Sequence, residues 1–127
     1  MKILLDSHIL IWSISENEKL TDKQKRIISS VDNEIFVCSA SFWEIAIKLS
    51  LGKFGALKPL RELFTEVEKS KIKVLEMEKA DFLVLATLPF FHKDPFDRAI
   101  ISMAMARNMS VISDDRYFES YDIPLIK

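Results

Sequence analysis

Four acidic residues stand at positions where α/β proteins often keep catalytic side chains. Asp6 and Asp115 follow short apolar runs typical of strands, and Glu44 and Asp97 lie early in helix-like stretches. If the strands are parallel, their carboxyl ends meet at one edge of the sheet, so we expect the four carboxylates to lie close together. Carboxylates so close repel one another unless some are protonated or a cation binds between them. An all-oxygen site favours Mg²⁺ or Mn²⁺, and hence metal-dependent cleavage of phosphodiester bonds.

Each acid also has a purely structural interpretation. Asp6 could cap the helix that follows it, and Glu44 has capping-box spacing to Ser41. Asp94 and Asp97 suit the cap and the first turn of another helix. Four separate element ends carry an acid, however, and the architecture brings those ends together. A shared site therefore explains the set better than independent caps do.

Short apolar strands alternate with helices along the chain. We expect strands at 3–5, 34–38, 72–75 and 110–112, and a short fifth strand at 123–126. Helices are predicted to begin near Ser7, Thr21, Ser39 or Ser41, Pro59, Ala80 and Phe96. This alternation implies right-handed crossovers. It predicts a three-layer α/β/α fold with a mainly parallel sheet of four to five short strands.

Composition limits the class of protein. A length of 127 residues suits one domain over 1–127, and a net charge of −1 argues against a strong global field for nucleic acid. The one cysteine, Cys38, cannot form an internal disulfide, and no signal peptide or membrane span is evident, so we expect a cytoplasmic protein. A mean hydropathy of +0.10 and the apolar stretch at 42–51 indicate surface kept for a partner.

Four segments, taken together, resemble the PIN-domain family, in particular the VapC-like toxins of bacterial type II toxin–antitoxin pairs. They are LLDSH at 4–8, SFWEIAIK at 41–48, HKDPFDR at 92–98 and SDDRYF at 113–118. The resemblance covers nearly the whole chain. It implies an endoribonuclease that uses one or two Mg²⁺ or Mn²⁺ ions to activate water, leaving a 5′-phosphate and a 3′-hydroxyl. It further implies a homodimer and a cognate antitoxin.

The resemblance assigns roles residue by residue. The metal-binding and catalytic acids are Asp6, Glu44, Asp97 and Asp115. Supporting or substrate-binding residues are Asp94, Arg98, Ser113, Asp114 and Arg116. For the two arginines, pairing with neighbouring acids is an alternative to contact with a phosphate, and Asp114 is an alternative to Asp115 beside Ser113.

Other functions and sites fit the sequence less well. The chief alternative function is a PIN-like module without activity that serves in binding or regulation. A phosphoacceptor receiver domain needs an early acid pair, and a dehalogenase-type phosphatase needs an acid where His8 stands. Zinc is disfavoured because His8 and His92 lack companions at ligand spacing. Trp43 is expected in the core by default, while Phe90 and Phe91 follow Pro89 in a loop where partial exposure is expected.

Overall fold

A computed structural model describes residues 1–53 and 58–127. The described residues form five strands: β1 (Lys2–Leu5), β2 (Glu34–Cys38), β3 (Lys73–Leu75), β4 (Ser110–Ile112) and β5 (Leu125–Ile126). They also form six α-helices: α1 (Ser7–Ser15), α2 (Asp22–Ser29), α3 (Ser39–Ser50), α4 (Leu60–Lys69), α5 (Lys79–Ala86) and α6 (Pro95–Arg107). Two 3-10 helices occupy Asn17–Lys19 and Arg116–Ser120. The predicted order of elements is confirmed, and the fifth strand is shorter than expected.

The strands form a parallel sheet in the order β3-β2-β1-β4-β5. The central strand β1 pairs with β2 on one side and β4 on the other, with Leu4 opposite both Phe36 and Val111. The chain therefore builds outward from β1 in one direction and later crosses to its other side. Such a reversal opens a crevice at the carboxyl ends of the two strands that flank it, the usual ligand site of open α/β sheets.

Apolar side chains pack on both faces of the sheet. Alternation along β1 sends Ile3 and Leu5 to one face and Leu4 to the other. The first face packs against α1, α3 and α4 through buried residues including Leu10, Ile45 and Leu63, and the second packs against α6 through residues including Ile100, Ile101 and Met103. The predicted α/β/α layering is confirmed.

Helix ends show where local sequence signals succeed and fail. The capping box of Thr21 and Gln24 at α2 is present as predicted. The expected serine cap of α3 is wrong, because β2 leads directly into the helix and Cys38 occupies the N-cap without a side-chain bond. Gly52 has φ of 70°, the left-handed conformation that glycine adopts readily after a helix. Within the described residues, no helix has the length and apolar character required to cross a membrane.

Candidate active site

Asp6 lies at the carboxyl end of β1, in the crevice between β1 and β4. Its backbone N–H donates to the carbonyl of Ile112 at 3.2 Å, which continues the strand pairing by one residue. Its Oδ1 accepts a 2.8 Å hydrogen bond from the N–H of Ile9, so it caps α1. The structural interpretation of Asp6 is therefore correct. It does not exclude a second role, because the other carboxylate oxygen faces Ser113.

Ser113 connects two of the predicted site acids. Its buried hydroxyl donates to Oδ2 of Asp6 at 2.5 Å and accepts from the N–H of Asp115 at 3.1 Å. Asp115 in turn accepts from the N–H of Tyr117 at 2.9 Å and begins the 3-10 helix. One serine thus fixes the acid after β1 relative to the acid after β4.

Asp114 has a different environment from Asp115. Its Oδ1 accepts a 2.8 Å hydrogen bond from Nε2 of Gln24, a fully buried residue of α2. Asp114 lies near Asp6, since its charge helps to raise the pKa of that carboxyl. Both aspartates of the doublet line a cavity of about 220 Å³ that also includes Asp6 and His8. Asp114 therefore borders the acidic cluster while being held by α2.

Asp97 lies in the first turn of α6, which Asp94 caps through Oδ1 to the N–H groups of Phe96 and Asp97, both at 2.9 Å. Nε2 of His92 lies 2.7 Å from Oδ2 of Asp97. Potential ligand atoms of His92, Asp97 and Asp115 all lie within 4.8 Å of one another. His92 is therefore a carboxylate partner, and the carboxylate is that of Asp97.

Glu44 projects from the second turn of α3 and is 4% exposed. Its Oε2 accepts from Nζ of Lys48 at 2.8 Å, one helical turn on. Its Oε1 is buried and has no hydrogen-bond partner among the described residues. An unpaired buried carboxylate oxygen is costly, so it indicates a place where a ligand would be favourable.

The clustered charges shift two ionisation equilibria. Burial raises the pKa of Asp6 to about 6, although the hydrogen bonds from Ser113 and Ile9 oppose the rise. Burial raises the pKa of Asp97 to about 7; the hydrogen bond from His92 lowers it, and the charges of Asp94, Glu44 and Asp6 raise it further. Because the charges of Glu44 and Asp6 act on Asp97, both acids lie near it. The four acids predicted from sequence therefore belong to one linked cluster.

The cluster fits a hard divalent cation. Its donors are carboxylate oxygens from four elements, with one imidazole at the rim. Burial and nearby acids raise the pKa of Asp6 to about 6 and that of Asp97 to about 7, and Glu44 has a buried oxygen without a partner among the described residues. A divalent ion would relieve each of these unfavourable features. Asp97 and Asp115 could hold it together with His92, and Asp6 and Glu44 lie beside them.

Arg98 is buried beneath the loop that precedes α6. Its Nη2 donates to the carbonyl of Leu88 at 3.0 Å, and its Nη1 donates to that of Pro89 at 2.8 Å and more weakly to that of His92. Neither sequence interpretation of Arg98, an acid partner or a phosphate contact, anticipated these carbonyl acceptors. By contrast, Arg116 is exposed at the start of the 3-10 helix, directly after Asp115.

Tyr121 also contacts this loop, and the sequence did not single it out. Its hydroxyl donates to the carbonyl of Pro89 at 2.7 Å and accepts from the N–H of His92 at 3.0 Å. Arg98 and Tyr121 therefore fix the backbone that carries His92. No local sequence signal links them, because the contacts join positions up to 32 residues apart.

The comparisons with known proteins agree with this fold. A family model described as PIN domain matches residues 3–124. One chain of the solved VapBC2 complex from Rickettsia felis, bound to a fragment of promoter DNA, superposes with a TM-score of 0.75 at 15% identity, covering 99% of this chain and 98% of that one. VapBC-1 from nontypeable Haemophilus influenzae gives a TM-score of 0.73 at 15% identity, covering 100% and 98%. DNA-bound VapBC from Salmonella typhimurium gives 0.68 at 17% identity, covering 99% and 97%.

A comparison with curated proteins finds no match. At these identities, the solved structures share the fold with this chain along nearly its whole length. The family model covers nearly the whole sheet and all four acids of the cluster. The chain belongs to the PIN-domain family.

Proposed function

We propose that this chain is a metal-dependent endoribonuclease, acting in the cytoplasm as the toxin of a type II toxin–antitoxin pair and built as one PIN domain over residues 1–127. The observation that carries the proposal is the convergence of Asp6, Glu44, Asp97 and Asp115 in one cluster with two raised pKa values and an unpaired carboxylate oxygen. Such a cluster of carboxylates destabilises the folded protein unless a cation binds to it. An enzyme that hydrolyses phosphodiesters with metal ions needs a cluster of this kind to bind them.

When bound, one or two Mg²⁺ or Mn²⁺ ions would supply a more acidic water and stabilise charge on the scissile phosphate. The protein residues prepare that site. Ser113 orients Asp6 and Asp115, and His92 orients Asp97. Asp97 lies in the first turn of α6, where the positive end of the helix dipole partly offsets the negative charge of the cluster.

Supporting roles are proposed for the remaining residues. Asp94 positions Asp97 by capping α6, and Asp114 ties the cluster to α2. Arg116 is exposed beside Asp115 and is available to contact a phosphate. Arg98 acts as a positioning residue for the 88–92 loop, because its guanidinium N–H groups are directed to carbonyls there.

The proposed protein partners rest on apolar surface and on the related complexes. Trp43 was expected in the core but is 65% exposed, and with Phe82 it lines a cavity of about 330 Å³ between α3, α5 and α6. The similar solved structures are described as VapBC complexes. We propose that this chain likewise pairs with an antitoxin and forms a homodimer. Light scattering of the purified chain that gave a monomer mass at micromolar concentration would contradict the dimer.

The nuclease is tested by incubating total cellular RNA with the purified, antitoxin-free chain. The reactions contain Mg²⁺, Mn²⁺ or chelator, and Asp97→Asn is run in parallel. Discrete fragments that require metal and vanish with Asp97→Asn are the expected result. Asp32→Asn, an exposed acid outside the cluster, is the matched control and should cleave like the wild type. Folded wild-type protein that cuts no RNA would favour the inactive binding module.

A further inference from the structure

A second surface adjoins the acidic cluster. Phe90, Phe91, His92, Lys93 and Tyr117 line an open cavity of about 400 Å³. Three of its aromatic side chains are well exposed: Phe90 is 77%, Phe91 56% and Tyr117 48% accessible. We call this the aromatic pocket. Exposed aromatic rings gathered in one place usually mark a binding surface.

The aromatic pocket is joined to the cluster through two contacts. His92, which lines it, lies 2.7 Å from Asp97, and the N–H of Tyr117 donates to Asp115. The rings of His92 and Tyr117 are stacked, with centroids 4.5 Å apart and planes only 3° from parallel. Since His92 covers one face of the Tyr117 ring, solvent reaches the ring at its other face and at its edge. A flat group could extend the stack there.

The loop that carries the aromatic rings is held in place. Buried Arg98 donates to three of its carbonyls and lies 3.9 Å from the ring centroid of Phe90. Phe91 packs edge-on against Tyr121, with centroids 5.2 Å apart. The rings are therefore exposed because the backbone beneath them is fixed, and not because the loop lacks contacts. A pre-formed surface loses little conformational entropy when a ligand binds.

We propose that the aromatic pocket is a nucleobase subsite, in which Tyr117 and Phe91 stack on an unpaired base next to the scissile phosphate and Lys93 contacts a phosphate. This inference rests on the proposed nuclease function and adds where an unpaired base of the RNA binds. Bases of a duplex are stacked on one another and cannot reach such rings, whereas unpaired bases stack readily on aromatic side chains. The adjacent positive charge of Lys93 suits a nucleic acid strand.

The first experiment measures binding, so that it does not depend on cleavage. A fluorescently labelled, unstructured RNA oligonucleotide and the same RNA annealed to its complement are titrated with protein in chelator and followed by fluorescence anisotropy. Wild type should prefer the single strand. Tyr117→Leu should weaken single-strand binding about 5- to 50-fold, while Tyr117→Phe, which keeps the ring, should stay within about twofold of wild type.

Three further variants sharpen the test. Phe64→Leu removes a partly exposed aromatic ring on α4, outside the pocket, and should leave RNA binding unchanged. Lys93→Gln should reduce the slope of log affinity against log salt by about 0.7, the value for one phosphate contact on a single strand, and Lys93→Arg should retain the slope. Equal losses in Phe64→Leu and Tyr117→Leu would overturn the subsite.

The outcomes separate this inference from the nuclease itself. If wild type cleaves RNA with metal and Tyr117→Leu binds RNA as tightly as wild type, the subsite is refuted and the nuclease is supported. The aromatic pocket would then be a surface for a protein partner. Ring-dependent binding without cleavage would support the subsite and refute the nuclease. Preference for the duplex would refute the requirement for an unpaired base.

Discussion

Asp97→Asn should make the metal-free protein more stable while it removes activity. In the wild type, burial and neighbouring acids raise the pKa of Asp97 from 3.8 to about 7. A carboxyl with a raised pKa holds its proton more tightly in the folded state, so stability is lost as pH rises from about 4 through about 7. A shift of about three units corresponds to about 4 kcal/mol at pH 8. Asparagine has the same shape and no charge to lose.

We expect about 2 to 4 kcal/mol of the penalty to be recovered, because the buried amide still needs hydrogen-bond partners. For a chain of this size, that is a rise of roughly 10 °C in the unfolding midpoint. The assay is thermal and urea unfolding in chelator at pH 8 and pH 5. The difference between variant and wild type should shrink at pH 5, where Asp97 is largely protonated in the fold. Asp32→Asn should change neither value.

An Asp97→Asn variant that is no more stable than wild type at pH 8 in chelator would refute this ionisation penalty. The same gain at pH 5 would also refute it, since a pH-independent gain would not come from ionisation. Lower stability at both pH values would mean that the contact between His92 and Asp97 contributes more to the fold than the charge costs.

Three further predictions concern the same region. Millimolar Mg²⁺ or Mn²⁺ should raise the unfolding midpoint of wild type at pH 8, because metal at a hundred times its dissociation constant adds about 2.7 kcal/mol to the free energy of unfolding. A midpoint that does not change with metal would contradict the site. Ser113→Ala should raise the pKa of Asp6 further and move metal-induced stabilisation to higher pH, because the hydrogen bond from Ser113 lowers that pKa. Ser102→Ala is the control, because Ser102 is a buried serine without a described side-chain partner, and it should change neither property. Equal behaviour of the two variants in thermal unfolding measured across pH would refute the role of Ser113. Arg98→Lys should destabilise the fold by about 1 to 3 kcal/mol, because lysine cannot satisfy the three carbonyls. A variant with normal stability and a raised KM for RNA would contradict this role and place Arg98 at the substrate.

Much of the fold and the outline of the site were predictable because both depend on local patterns. Short apolar runs separated by helical spacing locate the strands, and parallel strands carry Asp6 and Asp115 to the same edge. Gln24 shows the limit of that approach. Its capping box was evident from sequence, but its contact with Asp114 joins residues 90 positions apart and has no local signature.

The exposed aromatic residues were harder to predict for a related reason. Aromatic side chains are usually buried, so Trp43 was placed in the core, yet it is mostly exposed. Phe90 and Phe91 were expected to be partly exposed, but their support by Arg98 and Tyr121 was not. Long-range contacts of buried polar groups decide which side of a loop faces solvent, and hydrophobic periodicity does not encode them.

The central claim is that four carboxylates form one metal-dependent centre that cleaves RNA. Its most direct test combines Mn²⁺ binding, followed by the spectroscopic signal of the free ion, with RNA cleavage in a series of single substitutions. Asp6→Asn, Glu44→Gln, Asp97→Asn and Asp115→Asn should each weaken Mn²⁺ binding and cleavage together, while Asp32→Asn changes neither. Cleavage that persists in any of the four at the wild-type rate, or wild-type protein that binds no Mn²⁺, would contradict the account.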